Sequence, residues 1–478
     1  MMSKIALFLS ILFVGQIVNA QEVRVSKDFN LKNDFAYEIL GKVGGNIVLF
    51  RDGGLDYSLE LLNDELRYKK KSEVFFERNK VNIIDIVSLD SLFSIYYTFK
   101  EDGSSFLNSR TFNSQLEPID STSIFSEKTK LQKRNFNLIT SEDHSKVLIY
   151  SISDRNTINL IAIDHSNNKV LYDDEIDYSD FNLRNDLKSL VMTNAAEVYL
   201  LMEKNNKRLL KEQHFAELSY IHPTATEIFS TQIQLTNKLS SDIDLYYDNL
   251  NRKVLVAGLF HDKNKIGSKG YFYCLLSSDF LSPTIVPEYK SYDKYILKEV
   301  FGKKKTKEKS LQYYNLKDVI FRKDGGFLLI TEMNKELARR NYYNGYNRFS
   351  NDNITSVWKD FYNENIILFA LKPDGSNHWS KVLHKKQFSQ DDDNIYGSFF
   401  TFETPSRLRF LYNDEIKKNS LVSEYVIDPL GDFERNAVLS TDYQNLRLRF
   451  KDAIQLSSNE ILVPSQRNYT LNLVKISY

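Results

Sequence analysis

One short pattern recurs along the whole chain and limits what it can fold into: a polar turn followed by a buried strand. It reads Gly44–Phe50, Leu89–Tyr96, Asp143–Tyr150, Asn194–Leu201, Asn251–Gly258, Asp324–Ile330, Pro405–Leu411 and Ser458–Val463. Most spacings between copies are about 45 to 57 residues, the period of a four-stranded structural unit or somewhat above it. Two spacings are longer, and both flank the copy at Asp324. That copy is the clearest. Asp324-Gly325-Gly326 opens the run Phe327–Ile330, and Asp374-Gly375 follows a second apolar run, Asn365–Leu371. Asp-Gly between apolar runs is a hairpin signal, because glycine supplies the positive φ that a tight turn needs.

Each copy extends into further strands. Thr157–Asp164, Gly270–Leu276, Leu421–Asp428 and Tyr469–Ile476 follow their turn-strands as second apolar runs. Outer strands come next at Lys169–Tyr172, His378–Leu383 and Asp432–Leu439, and a strand can precede the turn, as at Leu316–Phe321 and Lys451–Leu456. Short strands at regular spacing with little helical periodicity predict an all-β chain. Abundant Tyr and Phe beside few Gly and Pro agree with strands rather than disorder. The last copy has no outer strand of its own, and Glu22–Ser26 is a spare one. Pairing it with Tyr469–Ile476 would close a ring and protect a sheet edge. The reading is a β-propeller of eight four-stranded blades closed by the mature N-terminal strand. Seven blades, or two to three β-sandwiches, are the alternatives.

Residues 1–20 read as a secretory signal peptide: Lys4, an apolar run from Ile5 to Val14, and Val18-Asn19-Ala20 before the cut. The run is shorter than the ~20 residues of a spanning helix. Gln21 rather than Cys follows, which disfavours a lipid anchor. Residues 21–478 are then one propeller domain with inserts at about 291–312 and 333–362. An exported chain whose one cysteine is Cys274 forms no internal disulfide, and Cys274 reads as a small buried apolar residue. Lys+Arg and Asp+Glu both number 63, so no global field draws nucleic acid.

Chemistry is sparsely marked. None of the seven His residues sits at zinc-site spacing, and no nucleophile elbow or Walker-type loop occurs, so neither metal, cofactor nor catalytic residue is assigned. Asp391-Asp392-Asp393-Asn394 begins a calcium-like alternation that Ile395 breaks, which makes it a solvated turn; Asp242, Asp244 and Asp248 are ambiguous. In the first insert, Lys303–Lys309 reads as a solvated loop diluted by Asp293, Glu299 and Glu308. The second insert carries Arg339, Arg340, Tyr342, Tyr343, Tyr346, Arg348, Phe349 and Trp358, residue types that dominate binding hot spots. These are the expected partner-binding residues.

Asp324-Gly325-Gly326-Phe327, then Ile366-Ile367, Leu371, Asp374-Gly375, Trp379 and Lys381, continued by Lys385-Lys386-Gln387, Ser389 and Asp391-Asp392, resembles exported β-propellers common in Bacteroidetes. In size and export the chain is also similar to the periplasmic plug subunit of the type IX secretion translocon. The motif consists of turn glycines, core aliphatics and a Trp able to pack at a blade edge, so it implies a fold and an address rather than a reaction. The expectation is a non-enzymatic accessory subunit, periplasmic or on the periplasmic face of the outer membrane, with an envelope protein as partner and protein secretion as the process. The last blade uses the C-terminus, leaving no separate sorting domain of the kind type IX cargo carries. A glycan-binding or glycan-cleaving propeller working at its central mouth is the alternative.

Overall fold

The computed structural model describes residues 21–128, 135–210, 212–223, 228–235, 237–263, 266–277, 284–302, 309–340, 357–416, 421–441 and 445–478. Residues 1–20, expected to be a signal peptide, and the lysine run 303–308 lie outside them. The described residues form eight sheets in chain order, each a blade whose four main strands pair antiparallel. The inner strands are Ala36–Val43, Asn82–Leu89, Asn137–Thr140, Leu187–Met192, Lys238–Asp248, Tyr314–Phe321, Phe400–Glu403 and Ile454–Gln455. Each pairs with the turn-strand that the repeat marks, so the chain is an eight-bladed β-propeller.

The last blade is completed from the N-terminus. Glu22–Val25 pairs antiparallel with Thr470–Ser477, from Glu22 opposite Ser477 to Val25 opposite Val474. The fourth blade gains a short fifth strand, Thr284–Ile285, which pairs in parallel with Phe229–Gln234.

The apolar runs explain the ring. A blade is covered on both faces, so its middle strands are apolar at nearly every position rather than alternately, as Ile47–Phe50 and Val198–Met202 are. Eight hydrophobic clusters result, one per seam between neighbouring blades. The closing seam joins Phe29, Ile47 and Leu49 to Leu462, Leu471 and Leu473. Cys274 lies in the seam between the fourth and fifth blades, 4% exposed, and burial pushes its thiol up to about 12.

The turns after the inner strands gather on one face of the ring, where they are laced together. Asn194 accepts from the Asp143 amide at 3.3 Å, Asn249 accepts from the Asn194 amide at 3.0 Å, and Asn249 donates to Glu142 at 2.6 Å. Trp379 behaves as the blade-edge residue its motif implies: its indole N–H donates to Pro429 O at 3.1 Å, tying the sixth blade to the seventh. The opposite face, where the inner strands begin, carries the longer excursions.

Candidate functional site

The sixth blade is built unlike the rest. Its inner strand is Tyr314–Phe321, but its other strands run Phe327–Arg340, Val357–Leu371 and Asn377–Gln390. Tyr314 pairs with Met333, so everything beyond Met333 passes the end of the inner strand. Pairing continues from Asn334 opposite Asn363 to Arg340 opposite Val357, and from Lys386 opposite Glu364 to Gln390 opposite Asp360. A three-stranded tongue therefore rises from the face on which the inner strands begin. Register shifts at Glu332/Met333 and Glu364/Ile366 mark its root, where such bulges re-aim strands. The second insert, read as a loop, is thus strand at both ends.

A buried polar network holds the root. Glu332 and Lys385 are both fully buried, with Lys385 Nζ 2.5 Å from Glu332 Oε1. Ser398 Oγ donates to Glu332 Oε2 at 2.6 Å, Asn334 Nδ2 donates to it at 2.8 Å, and Lys317 Nζ stands 3.6 Å away. Lys385 also donates to Asn363 O and Gln387 Oε1. Burial pushes the Glu332 carboxyl upward, but Lys385 and Lys317 outweigh it and hold the group below the usual carboxylate range. A buried ion pair needs such supporting hydrogen bonds around it.

The tongue is also braced along its length. Asp391 Oδ1 accepts from the Lys359 amide at 2.8 Å, and the Asp391 amide donates back to Lys359 O at 3.0 Å. Asp392 Oδ1 accepts from Ser389 Oγ and from the Asn394 amide. The acidic run is thus engaged by the chain itself. The first insert, read as a solvated loop, begins as a helix, Lys294–Phe301. Asp293 caps it by accepting from the Ile296 amide at 2.8 Å, and Ile296 is buried beneath it. It packs against the outer strand of the sixth blade, Asn377–Gln390, with Glu299 3.5 Å from His384 just below the tongue's root.

Of the expected partner-binding residues, the tongue brings Arg339, Arg340 and Trp358 together: Arg339 lies opposite Trp358 in the ladder, and Arg340 opposite Val357. Tyr342, Tyr343, Tyr346, Arg348 and Phe349 lie outside the described residues. By register, Leu337, Trp358, Tyr362 and Phe388 share one face of the tongue. Trp358 is 46% exposed and Leu337 38%, while Tyr362 and Phe388 pack ring to ring at 5.0 Å nearer the root. Leu337 is not among the expected residues, because those were chosen as hot-spot types, Tyr, Trp, Arg and Phe; the ladder to Val357–Tyr362 places it on the Trp358 face.

A second set of groups lines the axis. Asp85, Asp244 and Asp318 stand on inner strands, each accepting from the amide of the next residue at 2.8 Å. Asp242, ambiguous in the sequence, accepts from the Leu316 amide at 2.8 Å and links the fifth blade to the sixth. Burial raises Asp85, Asp242, Asp318 and Glu403. Burial, with the neighbouring charge of Asp85, pushes Glu38 up to about 8. The signal available in sequence was an Asp ahead of an aliphatic residue in Asp85-Ile86, Asp244-Leu245 and Asp318-Val319.

Glu38 sets a pH dependence. The folded state holds a proton there that the unfolded state, titrating near 4.5, has released. Stability therefore falls as pH rises from about 4.5 to about 8. Glu38→Gln removes that slope. The expected result of thermal unfolding is equal Tm at pH 5 and a more stable variant at pH 9, by about 2 kcal/mol after discounting for partial exposure. Equal Tm at both pH values would contradict the assignment.

Among the described residues no group of three or more His, Cys, Asp or Glu side chains stands close enough to hold a metal ion, and no helix is long and apolar enough to cross a membrane. No protein-family model matches the chain, and no curated protein matches it. Solved structures similar to it include the β-propeller domain of the Trilobed protease from Pyrococcus furiosus, at 12% identity and TM-score 0.39, covering 84% of this chain and 98% of that one. The WD40 domain of SCAP from fission yeast is 9% identical with TM-score 0.41, covering 96% and 98%. The Nup133 β-propeller domain of Vanderwaltozyma polyspora is 11% identical with TM-score 0.41, covering 96% and 98%. The fold assignment rests on the sheet order itself.

Proposed function

We propose that the protein is a non-enzymatic interaction subunit of a cell-envelope complex and that the tongue of the sixth blade is its docking element. The observation that carries this reading is the exposure of Trp358 and Leu337 on one face of a tongue with a fully buried ion pair at its root. Interface energy concentrates in a few large side chains, Trp and Arg prominent among them, and a rigid platform lowers the ordering cost of binding. The remaining aromatic and basic residues of the second insert, Tyr342 to Phe349, connect the two strands that carry Leu337 and Trp358. The sequence motif of this blade supplies the proposed address, an exported propeller in the periplasm or on the periplasmic face of the outer membrane. Protein secretion of the type IX kind is the process such an accessory subunit would serve.

The test is a mild-detergent pull-down of the tagged protein from its own cell envelope, comparing wild type with Leu337→Ala/Trp358→Ala. Both side chains are exposed enough that the double variant should keep the wild-type Tm within about 1 °C, since surface changes usually fall within ±0.5 kcal/mol. The expected result is a stoichiometric envelope partner with wild type and at least a tenfold loss with the variant. Recovery of wild type alone, or a partner indifferent to the double change, would remove the reading.

A further inference from the structure

The seam between the eighth and first blades opens into a cleft of about 670 Å³ on the same face as the tongue. That volume lies within the ~300–1,000 Å³ of small-molecule sites. Its floor is polar and ordered. Arg449 Nη1 donates to the Tyr37 hydroxyl at 3.0 Å, and that hydroxyl donates to Gln466 Oε1 at 3.3 Å. Arg449 also touches Gln466 and pairs with Asp452 at 2.5 Å. Burial pushes the Tyr37 hydroxyl up to about 12, which keeps it a neutral donor and acceptor.

The walls are aromatic. Phe35 is 84% exposed and Tyr469 63% exposed, and both border the cleft. Neither backbone is free: the Phe35 amide donates to Asp52 O at 2.8 Å, and Tyr469 O accepts from the Leu31 amide at 2.7 Å. The Phe35 ring lies over Gly54, where an added Cβ would come within 2.5 Å of it, so the glycine makes room for that placement. Large rings held open to water at the lip of a polar cleft are costly for a solvated surface and are pre-organised for a flat ligand.

Charge narrows the class. Arg449 is balanced by Asp452, and Asp34, at the rim, is engaged by Arg51 at 2.7 Å. Glu38, also in the lining, retains its proton at neutral pH. The cleft therefore offers no net field for a phosphate or a polycation. It offers paired donors and acceptors below and apolar ring faces beside, the arrangement that fits a pyranose with its ring of hydroxyls and its C–H faces.

We propose that this cleft binds a short neutral oligosaccharide, with sugar rings against Phe35 and Tyr469 and hydroxyls hydrogen-bonded to Tyr37, Asp452 and Gln466. The binding is separate from the tongue and would coexist with a docked partner, since the cleft lies at the eighth and first blades and the tongue on the sixth.

The experiment is saturation-transfer-difference NMR followed by calorimetry on the mature protein, with cellobiose, maltose and di-N-acetylchitobiose as neutral probes and digalacturonate as the acidic contrast. The expected result is millimolar or tighter binding of at least one neutral probe. Phe35→Ala and Tyr469→Ala should each weaken it at least tenfold at unchanged Tm. Phe35→Trp should keep it and report it as a shift in tryptophan emission. Absence of binding by all three neutral probes, tighter binding of digalacturonate, or alanine variants that bind like wild type would each overturn the proposal.

Discussion

Lys385→Met, with Glu332 left in place, is expected to lower stability by about 3–5 kcal/mol, because it leaves a buried carboxylate without its main partner. Both members of the pair are fully buried, and Lys317, the remaining cation, stands 3.6 Å from the other carboxylate oxygen and is itself 31% exposed. Glu332→Gln should cost less. Burial already draws the Lys385 ammonium below its usual range against the opposing pull of Glu332, so a lysine left alone can shed its proton. Asn363 O and Gln387 Oε1 still accept from it. The pH dependence separates the cases. In wild type the Glu332 carboxyl is held below its unfolded value, so its contribution is present at neutral pH and is lost as pH falls through the folded value. In Lys385→Met the same carboxyl is expected to rise above its unfolded value, so that variant gains stability as pH falls. Between pH 5 and pH 8 the wild-type Glu332 contribution is flat and the Glu38 slope is common to both proteins, so thermal unfolding at those two values should show a Tm deficit in the variant that is smaller at pH 5 than at pH 8. A variant with wild-type Tm at both pH values would show that the pair does not hold the root. Hydrogen exchange adds a local reading: amides of Asn334–Arg340 should exchange faster in Lys385→Met, since the network ties that strand to Ser398, Asn363 and Lys317.

The tongue also shows where a sequence is readable and where it is not. The sixth blade announces itself because Gly325 and Gly375 occupy positive-φ turn positions, at 84° and 77°. Equivalent turns elsewhere use Asp90, His144, Ala196 and Arg252 in the left-handed region, at φ 45°, 57°, 65° and 52°. Such residues cost about 1–2 kcal/mol there and carry no turn signature. Those blades were legible only through the buried strand that follows each turn. The same logic of two covered faces that makes each middle strand a plain apolar run let the strands be counted. It gave no sign of which residues meet across a seam, because seam partners are far apart in the chain. Glu38 and Asp85 become neighbours once the first two blades pack, and Tyr37 and Arg449 only once the ring closes. The helix Lys294–Phe301 was hidden differently: its cap Asp293 and its buried Ile296 stand beside a lysine-rich run whose charge dominates the reading. Trp358 was chosen from residue type alone, and the ladder adds Leu337 to it. The axis-facing aspartates carry only the mark of an Asp before an aliphatic residue, which is too common in any chain to single them out.

Removal of Gln21–Lys27 is expected to abolish the monomeric fold, the largest effect of any change considered. The segment supplies the outer strand of the last blade, paired from Glu22–Ser477 to Val25–Val474. It continues through Ser26, whose amide donates to Leu473 O at 2.9 Å and whose hydroxyl accepts from the Leu473 amide at 2.9 Å. Phe29, 2% exposed, then fills the closing seam against Leu471 and Leu473. Without the strand, Thr470–Ser477 becomes a free, largely apolar edge open to pairing with another chain. Size-exclusion chromatography should show oligomers or no soluble protein. The single change Phe29→Ala, which keeps the ladder, should cost about 3–5 kcal/mol and leave a monomer. A permuted chain discriminates closure from mere loss of length. Glu22 lies opposite Ser477 in an antiparallel pair, so a short turn can join Tyr478 to Gln21 and present the same strand as a hairpin. Moving Gln21–Lys27 to follow Tyr478 should restore the monomer and most of the wild-type Tm. A deletion that stays monomeric with unchanged Tm would mean that the seam clusters alone hold the ring shut. A permutant that fails while wild type folds would mean that residues 28–35 need the strand ahead of them, rather than the blade needing it beside them.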